Sequence, residues 1–160
     1  MCMRLLFVLD GCFILVVMAD KEDSRRTGLI LHAVNPSDGA VCEVQVSFSR
    51  MQAVARRSLG HAKECGYIVP MILQRPTAVF EGLRRDEDED PRGVGRRCYC
   101  GIPEFSYRPD GTAGRPYPKQ VYLVFVNDEG VAYNWRWEKA DAEDPKLPEN
   151  HLTRFRRRVL

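Results

Sequence analysis

The pattern of apolar and polar residues changes its period along the chain, and each change predicts an element. Residues 41–48 alternate between apolar and polar side chains, which predicts a half-buried strand because successive strand side chains point to opposite faces. The apolar run Gly28–Val34 predicts an earlier strand, and the turn-forming sequence at 35–39 ends it. Two strands are therefore predicted before residue 49.

At Ser49 the apolar residues begin to recur every three or four positions, which predicts a helix. Ser49 is predicted as its N-cap, because a serine hydroxyl can accept a free amide of the first turn. Gly66 is predicted to end this helix, since glycine tolerates the left-handed backbone found there. A second, shorter helix is predicted from Pro70 to Gln74, stopping before Pro76.

A β-hairpin over residues 121–137 is the firmest local prediction. Its turn is Asn-Asp-Glu-Gly at 127–130, which fits a type I turn closed by a glycine bulge. The simplest register pairs Phe125 with Tyr133, Leu123 with Trp135 and Val121 with Trp137. Because side chains alternate, this register places all six on one core face.

The other face of this hairpin is predicted to carry Tyr122, Asn134 and Arg136. These side chains offer a planar charged fork and two neutral hydrogen-bonding groups, which suit an anion-binding surface. The favoured alternative is a solvated face on which Arg136 stacks on Tyr122 and pairs with Glu138.

Charge is unevenly distributed, although the net charge is only +2. An acidic run occupies residues 86–90, and a basic tail follows Asn150, which is predicted to cap a final helix. Three arginines of that helix are predicted to contact a phosphate backbone, and the alternative is that the helix docks on the sheet. They are Arg154, Arg156 and Arg157.

Length and composition predict one folded domain. The chain has 160 residues, of which 44% are hydrophobic and 29% charged, and these values exclude wholesale disorder. The predicted fold class is α+β, with an N-terminal helix pair packed on a small antiparallel β-sheet (a meander) and a C-terminal basic helix. This domain is predicted to span residues 27–160, after an N-terminal arm of residues 1–26.

The N-terminal arm contains an apolar run at residues 5–19 that Asp10 interrupts. A charge inside so short a run disfavours a secretory signal, and the run is too short for a comfortable membrane span. An over-extended start, with Met18 as the true first residue, is favoured over a signal peptide, and a buried first strand is the third alternative. The predicted location is cytoplasmic, or secreted if residues 1–19 are a true signal peptide.

The six cysteines have no regular spacing and are predicted to be reduced thiols. His61, Cys65, Cys98 and Cys100 offer the donor types of a zinc site, but the close-set pair of cysteines typical of such sites is missing. Buried free cysteines are therefore favoured, and no metal or cofactor is predicted. The sequence also lacks a nucleotide-binding glycine motif, a serine nucleophile elbow and a zinc-protease helix.

His61 is a candidate general base, because imidazole titrates near neutral pH. The alternative is a histidine that faces solvent or is hydrogen-bonded in place.

The order of the predicted elements resembles that of the barnase/EndoU/colicin/RelE-like group of small bacterial and phage ribonucleases, many of which are toxins of toxin–antitoxin systems. The resemblance spans residues 49–138 and includes the sequence YIVPMILQRP at 67–76 and the strand VYLVFV at 121–126. It implies RNA binding and metal-independent RNA cleavage, with His61, Arg136 and Tyr122 as catalytic residues. The anion-binding interpretation of the hairpin adds Asn134 as a binding residue. RNA and a cognate antitoxin or other protein are the implied partners, and no membrane partner is predicted. The alternative is a non-catalytic immunity or accessory module that binds another protein.

Overall fold

The computed structural model describes residues 3–9, 12–18, 28–83, 96–151 and 155–160. These residues form eleven strands and two helices. The strands are β1 (Met3–Leu9), β2 (Cys12–Met18), β3 (Gly28–Val34), β4 (Val41–Ser47), β5 (Ala78–Leu83), β6 (Arg96–Gly101), β7 (Ser106–Tyr107), β8 (Ala113–Gly114), β9 (Gln120–Asn127), β10 (Ala132–Lys139) and β11 (Phe155–Arg158). The helices are α1 (Phe48–Ala55) and α2 (Leu59–Gln74).

A five-stranded antiparallel sheet, in the order β10-β9-β6-β5-β11, forms the centre of the fold. Its middle region is buried on both faces, which explains why β9 is almost continuously apolar. We call one side the helix face, because residues of α2 and of the β3–β4 hairpin pack on it. We call the other side the loop face, because Ala140 and Leu147 of the segment after β10 pack on it.

Three smaller antiparallel pairs complete the described structure. The strands β3 and β4 have the predicted positions, and β7 and β8 form a short hairpin beside α2. The strands β1 and β2 pair with each other inside the segment that was predicted as an N-terminal arm. The acidic run at 86–90 lies outside the described residues.

The predicted α+β arrangement is wrong. The described chain is mostly β, its two helices follow two hairpins, and its last element is a strand where a basic helix was predicted. The helix prediction rested on Leu152, Phe155 and Val159, but the spacing of the last two, four residues, fits a strand as well as a helix. Pairing with β5 decides the outcome, because Phe155 stacks on Phe80 with ring centroids 4.5 Å apart.

The predicted helix boundaries are also wrong. A single helix runs through both Gly66 and Pro70, and the cap of α2 is Ser58, whose hydroxyl oxygen accepts the His61 amide at 3.1 Å. Glycine and proline disfavour a helix interior by about 1 and 3 kcal/mol. Burial of apolar side chains on both sides of these residues offsets that cost, since Cys65, Ile68, Val69, Ile72 and Leu73 all lie in the core.

The predicted hairpin is confirmed, with β9 and β10 joined by the Asn-Asp-Glu-Gly turn. The side-chain oxygen of Asn127 accepts the amides of Glu129 and Val131, both at 3.0 Å. Gly130 has a φ of +74°, a left-handed conformation that glycine adopts without strain. This local chemistry explains why the turn was predictable from the sequence.

The predicted register of this hairpin is wrong, and none of the three predicted pairs forms. Ala132 lies opposite Val126, but Asn134 lies opposite Phe125, so Tyr133 is an extra residue in a β-bulge. A shift of one residue sends every later side chain to the opposite face. Trp137 therefore lies opposite Tyr122 on the helix face.

Candidate functional site

The predicted catalytic residues Tyr122 and Arg136 lie on opposite faces of the sheet. Tyr122 is completely buried on the helix face, where its hydroxyl donates a hydrogen bond to Glu64 at 3.3 Å. Arg136 lies on the loop face, with its guanidinium 5.0 Å from the centre of the Phe125 ring. It also pairs with Glu138 at 2.8 Å, as the alternative interpretation predicted, but it does not stack on Tyr122.

His61 is exposed on the first turn of α2, away from Arg136. Its Nδ1 lies 2.7 Å from the hydroxyl oxygen of Ser58, so the cap of the helix also orients the ring. His61 precedes Glu64 by one helical turn. The structure thus does not assemble the three predicted catalytic groups around one point.

The predicted binding residues are also separated. Asn134 lies on β10 and accepts a hydrogen bond from Arg50 at 2.8 Å, whereas Arg157 lies on β11 and pairs with Glu81 at 2.6 Å. These strands are the two opposite edges of the sheet. Arg156 belongs to β11, and Arg154 lies outside the described residues.

The cysteines considered as zinc ligands also lie on opposite faces of the sheet. Cys65 lies in the core of the helix face, whereas Cys98 and Cys100 lie in the core of the loop face. Burial raises the pKa of Cys65 and of Cys100 to about 12, so both thiols are neutral at physiological pH. Within the described ranges, no three His, Cys, Asp or Glu side chains are grouped closely enough to hold a metal ion.

A different set of side chains converges beside α2. Five partly exposed aromatic residues form a contiguous patch, which we call the aromatic surface. Its members are Tyr67, Phe105, Tyr107, Tyr117 and Trp137. The Tyr107 ring lies 6.1 Å from the Tyr67 ring and 5.4 Å from the Phe105 ring, and Tyr117 lies 5.0 Å from Trp137. The Tyr117 hydroxyl donates to the Tyr107 carbonyl at 3.4 Å, which joins the two groups of rings.

The β7–β8 hairpin supplies the edge of this surface and docks on the start of α2. Its turn is held by Asp110, whose carboxylate accepts the amide and the hydroxyl of Thr112 at 2.9 and 2.6 Å. The Gly60 amide donates to the Pro109 carbonyl at 3.3 Å. A Cβ at position 60 would overlap the carbonyl oxygen of Arg108, so the approach of this hairpin requires glycine.

Lys63 joins the helix, the hairpin and the rings. Its ammonium donates a hydrogen bond to the Gly111 carbonyl at 2.8 Å and lies 5.6 Å from the centre of the Tyr107 ring. That distance is within the range of a cation–π contact. One positive charge is therefore held against the aromatic surface.

The helical segment beside the aromatic surface is strongly basic. Residues 50–75 include five basic residues and only one acidic residue, Glu64. Glu64 is 5% exposed, whereas Arg56, Arg57 and Arg75 are exposed. The solvent-facing charges of this segment are consequently all positive.

Glu64 lies beneath the aromatic surface, where two ring systems bind its carboxylate. One oxygen accepts from the Trp137 indole and the other from the Tyr122 hydroxyl, both at 3.3 Å. Burial raises the pKa of Glu64, and His61 and the two hydrogen bonds oppose that rise. The site thus combines exposed rings and cations with one buried acid.

The raised pKa of Glu64 predicts a pH-dependent stability. The folded state favours the protonated form of Glu64. The stabilisation from this protonation is fully present below about pH 4.5, the ordinary glutamate pKa, and is lost as pH rises through the folded-state pKa. Glu64→Gln should therefore raise the melting temperature at pH 7 and have a smaller effect near pH 4. Thermal unfolding followed by circular dichroism at both pH values measures this difference. An equal change in melting temperature at pH 7 and pH 4 would contradict a raised pKa of Glu64.

Comparisons with known proteins add no functional assignment. No protein-family model matches the chain, and no curated protein or solved structure is significantly similar to it. The resemblance to ribonuclease toxins therefore stays a prediction. None of the helices in the described ranges is long and apolar enough to cross a membrane.

Proposed function

We propose that this protein binds single-stranded nucleic acid, with RNA as the ligand, on the aromatic surface and the basic residues beside it. The observation that carries the proposal is the contiguity of five partly exposed aromatic rings with a helical segment whose exposed charges are all positive. Unpaired bases stack on aromatic side chains, which contributes about 1–3 kcal/mol per base. Basic side chains attract the phosphates of the same strand.

The positions of individual side chains fit these two roles, base stacking by the rings and phosphate contacts by the basic residues. Tyr117 is 38% exposed and is held edge-on to Trp137, so its ring is available to a base without rearrangement. Arg56 and Arg57 immediately precede the cap of α2, next to the docked β7–β8 hairpin. A strand whose bases contact Tyr117 and Tyr107 can therefore direct its phosphates toward these arginines and Lys63.

The proposal concerns binding rather than cleavage. Cleavage of RNA without a metal needs a base, an acid and charge stabilisation around one phosphate. The predicted catalytic residues Tyr122 and Arg136 are separated by the sheet, so they do not support such a step. RNA is the ligand that the resemblance to small ribonucleases implies, and the stacking and charge contacts are common to single-stranded RNA and DNA.

Fluorescence anisotropy with a labelled oligouridylate tests the role of the cations. The protein should bind the single strand in preference to a duplex of equal length, and its affinity should fall as salt rises. Arg57→Gln should weaken binding and reduce the slope of log affinity against log salt by about 1, the contribution of one phosphate contact. Lys146→Gln removes an exposed cation from the segment that packs on the loop face and should leave both quantities unchanged.

The role of the rings is tested separately at Tyr117. Tyr117→Ala should weaken oligouridylate binding by about tenfold, as expected for the loss of one base–aromatic stack. Tyr117→Phe keeps the ring and should bind like the wild type. If no oligonucleotide binds at low salt, or if the surface binds a protein partner through the same rings instead, the proposed function is wrong.

A further inference from the structure

Glu64 is a carboxylic acid placed directly beneath a surface that is proposed to receive a polyanion. Its carboxylate is bound by Trp137, whose ring is itself part of the aromatic surface. It is also the only acidic residue among residues 50–75. Glu64 was not among the site residues predicted from the sequence.

We propose that Glu64 links occupancy of the aromatic surface to proton uptake, so that the protein binds single-stranded nucleic acid more tightly when Glu64 is protonated. This inference rests on the proposed function, since it concerns the regulation of the same surface. The ionised carboxylate repels the phosphates of a bound strand, whereas the neutral acid does not. The bound strand must in turn favour the neutral acid, because coupling between two binding events is reciprocal.

Among the groups that face Glu64, only His61 could also cause such a pH dependence. On α2 itself these are His61, one turn earlier, and the neighbouring Cys65, while β9 and β10 contribute Tyr122 and Trp137. Burial raises the pKa of Cys65 to about 12 and that of Tyr122 well above its ordinary value of 10.0, so neither ionises near neutral pH. Indole does not titrate, which leaves His61 as the other group to control.

The direction of the effect follows from the charges. Phosphates near the surface raise the pKa of Glu64 further, so the complex holds more protons than the free protein at the same pH. Affinity should therefore rise as pH falls through the Glu64 pKa. His61 lies one helical turn from Glu64, so any contribution it makes must be removed independently.

The experiment measures oligouridylate affinity by anisotropy between about pH 5 and pH 8 at constant ionic strength, because uracil does not titrate in this range. The wild type should bind about fivefold more tightly at the acidic end, a coupling of ordinary size. Glu64→Gln should bind tightly with little pH dependence. His61→Asn is the matched control, since it removes the competing titratable group and should keep most of the dependence.

A second measurement does not depend on a variant that folds. Calorimetric titration of the wild type with the same oligonucleotide, in two buffers of different ionisation enthalpy, gives the number of protons taken up on binding. Uptake of a fraction of one proton is expected at a pH close to the Glu64 pKa, which a series of titrations at different pH values locates. If uptake is zero, or if Glu64→Gln keeps the pH dependence of the wild type, the linkage is wrong while the proposed binding stands. If the wild type binds no oligonucleotide, the proposed function itself fails.

Discussion

Gly60→Ala should detach the β7–β8 hairpin from α2 and lower oligouridylate affinity by more than tenfold. The added methyl group would overlap the carbonyl oxygen of Arg108 and lie 2.9 Å from its carbonyl carbon, and backbone atoms cannot move aside as a flexible side chain can. Overpacking of this kind costs about 1–3 kcal/mol, which exceeds the small gain from the higher helix propensity of alanine. Displacement of the hairpin would also move Tyr107 away from Lys63 and Tyr67.

Gly114→Ala is the matched control in the same hairpin. Its Cβ would lie 3.9 Å from the Ser106 hydroxyl oxygen, which is an ordinary van der Waals contact. We expect this variant to stay within about 0.5 kcal/mol of the wild type. Urea unfolding and anisotropy measure both variants, and equal effects of the two substitutions would contradict the docking of α2 on the hairpin.

Phe125→Ala should cause the largest loss of stability, about 3–5 kcal/mol. Phe125 is completely buried in the core of the loop face, and its ring lies 6.2 Å from Tyr133 and 5.0 Å from the Arg136 guanidinium. The loss would be a large fraction of the 5–15 kcal/mol typical of a whole domain. Urea unfolding measures the difference directly.

The same residue provides a test of the observed register. Phe125→Leu and Arg136→Ala remove the two partners of a cation–π contact, so their effects should be non-additive by about 0.5–1 kcal/mol. Tyr122→Leu combined with Arg136→Ala should be additive, because the two side chains lie on opposite faces. Coupling in the second pair but not in the first would support the regular register instead.

The hairpin shows where sequence patterns suffice and where they do not. Its turn was predictable because Asn127 and Gly130 act locally, through hydrogen bonds and backbone conformation within the turn. The bulge at Tyr133 was not, because both registers offer an apolar strand and only packing on α2 and the loop segment distinguishes them. One unpredicted residue was enough to exchange the faces of Trp137 and Arg136.

The prediction of a helix in the C-terminal segment was wrong for a related reason. Its basic residues and apolar spacing fit an amphipathic helix, but β5 offers a free edge that the segment pairs with instead. Arg157 then contacts Glu81, which lies 76 residues earlier in the chain. Such a pairing is a long-range contact, and local periodicity carries no information about it.

The candidate surface was predictable only in part. The excess of basic residues at 50–75 is visible in the sequence, although no motif marks it. The role of Gly60 depends on Arg108, and the environment of Glu64 depends on Tyr122 and Trp137, so neither can be assigned before the fold is known. Tyr107 and Tyr117 lie in a stretch whose many Pro and Gly residues predicted only irregular structure.

The most direct test of the binding surface uses the two tryptophans of the chain as internal reporters. Trp137 belongs to the aromatic surface, whereas Trp135 is buried beneath Arg50, whose guanidinium lies 5.4 Å from its ring centre. Their two indole N–H signals can be followed in a proton–nitrogen correlation spectrum during titration with oligouridylate. A progressive shift of the Trp137 signal with a stationary Trp135 signal is the predicted result. A stationary Trp137 signal at saturating oligonucleotide would contradict the proposed surface.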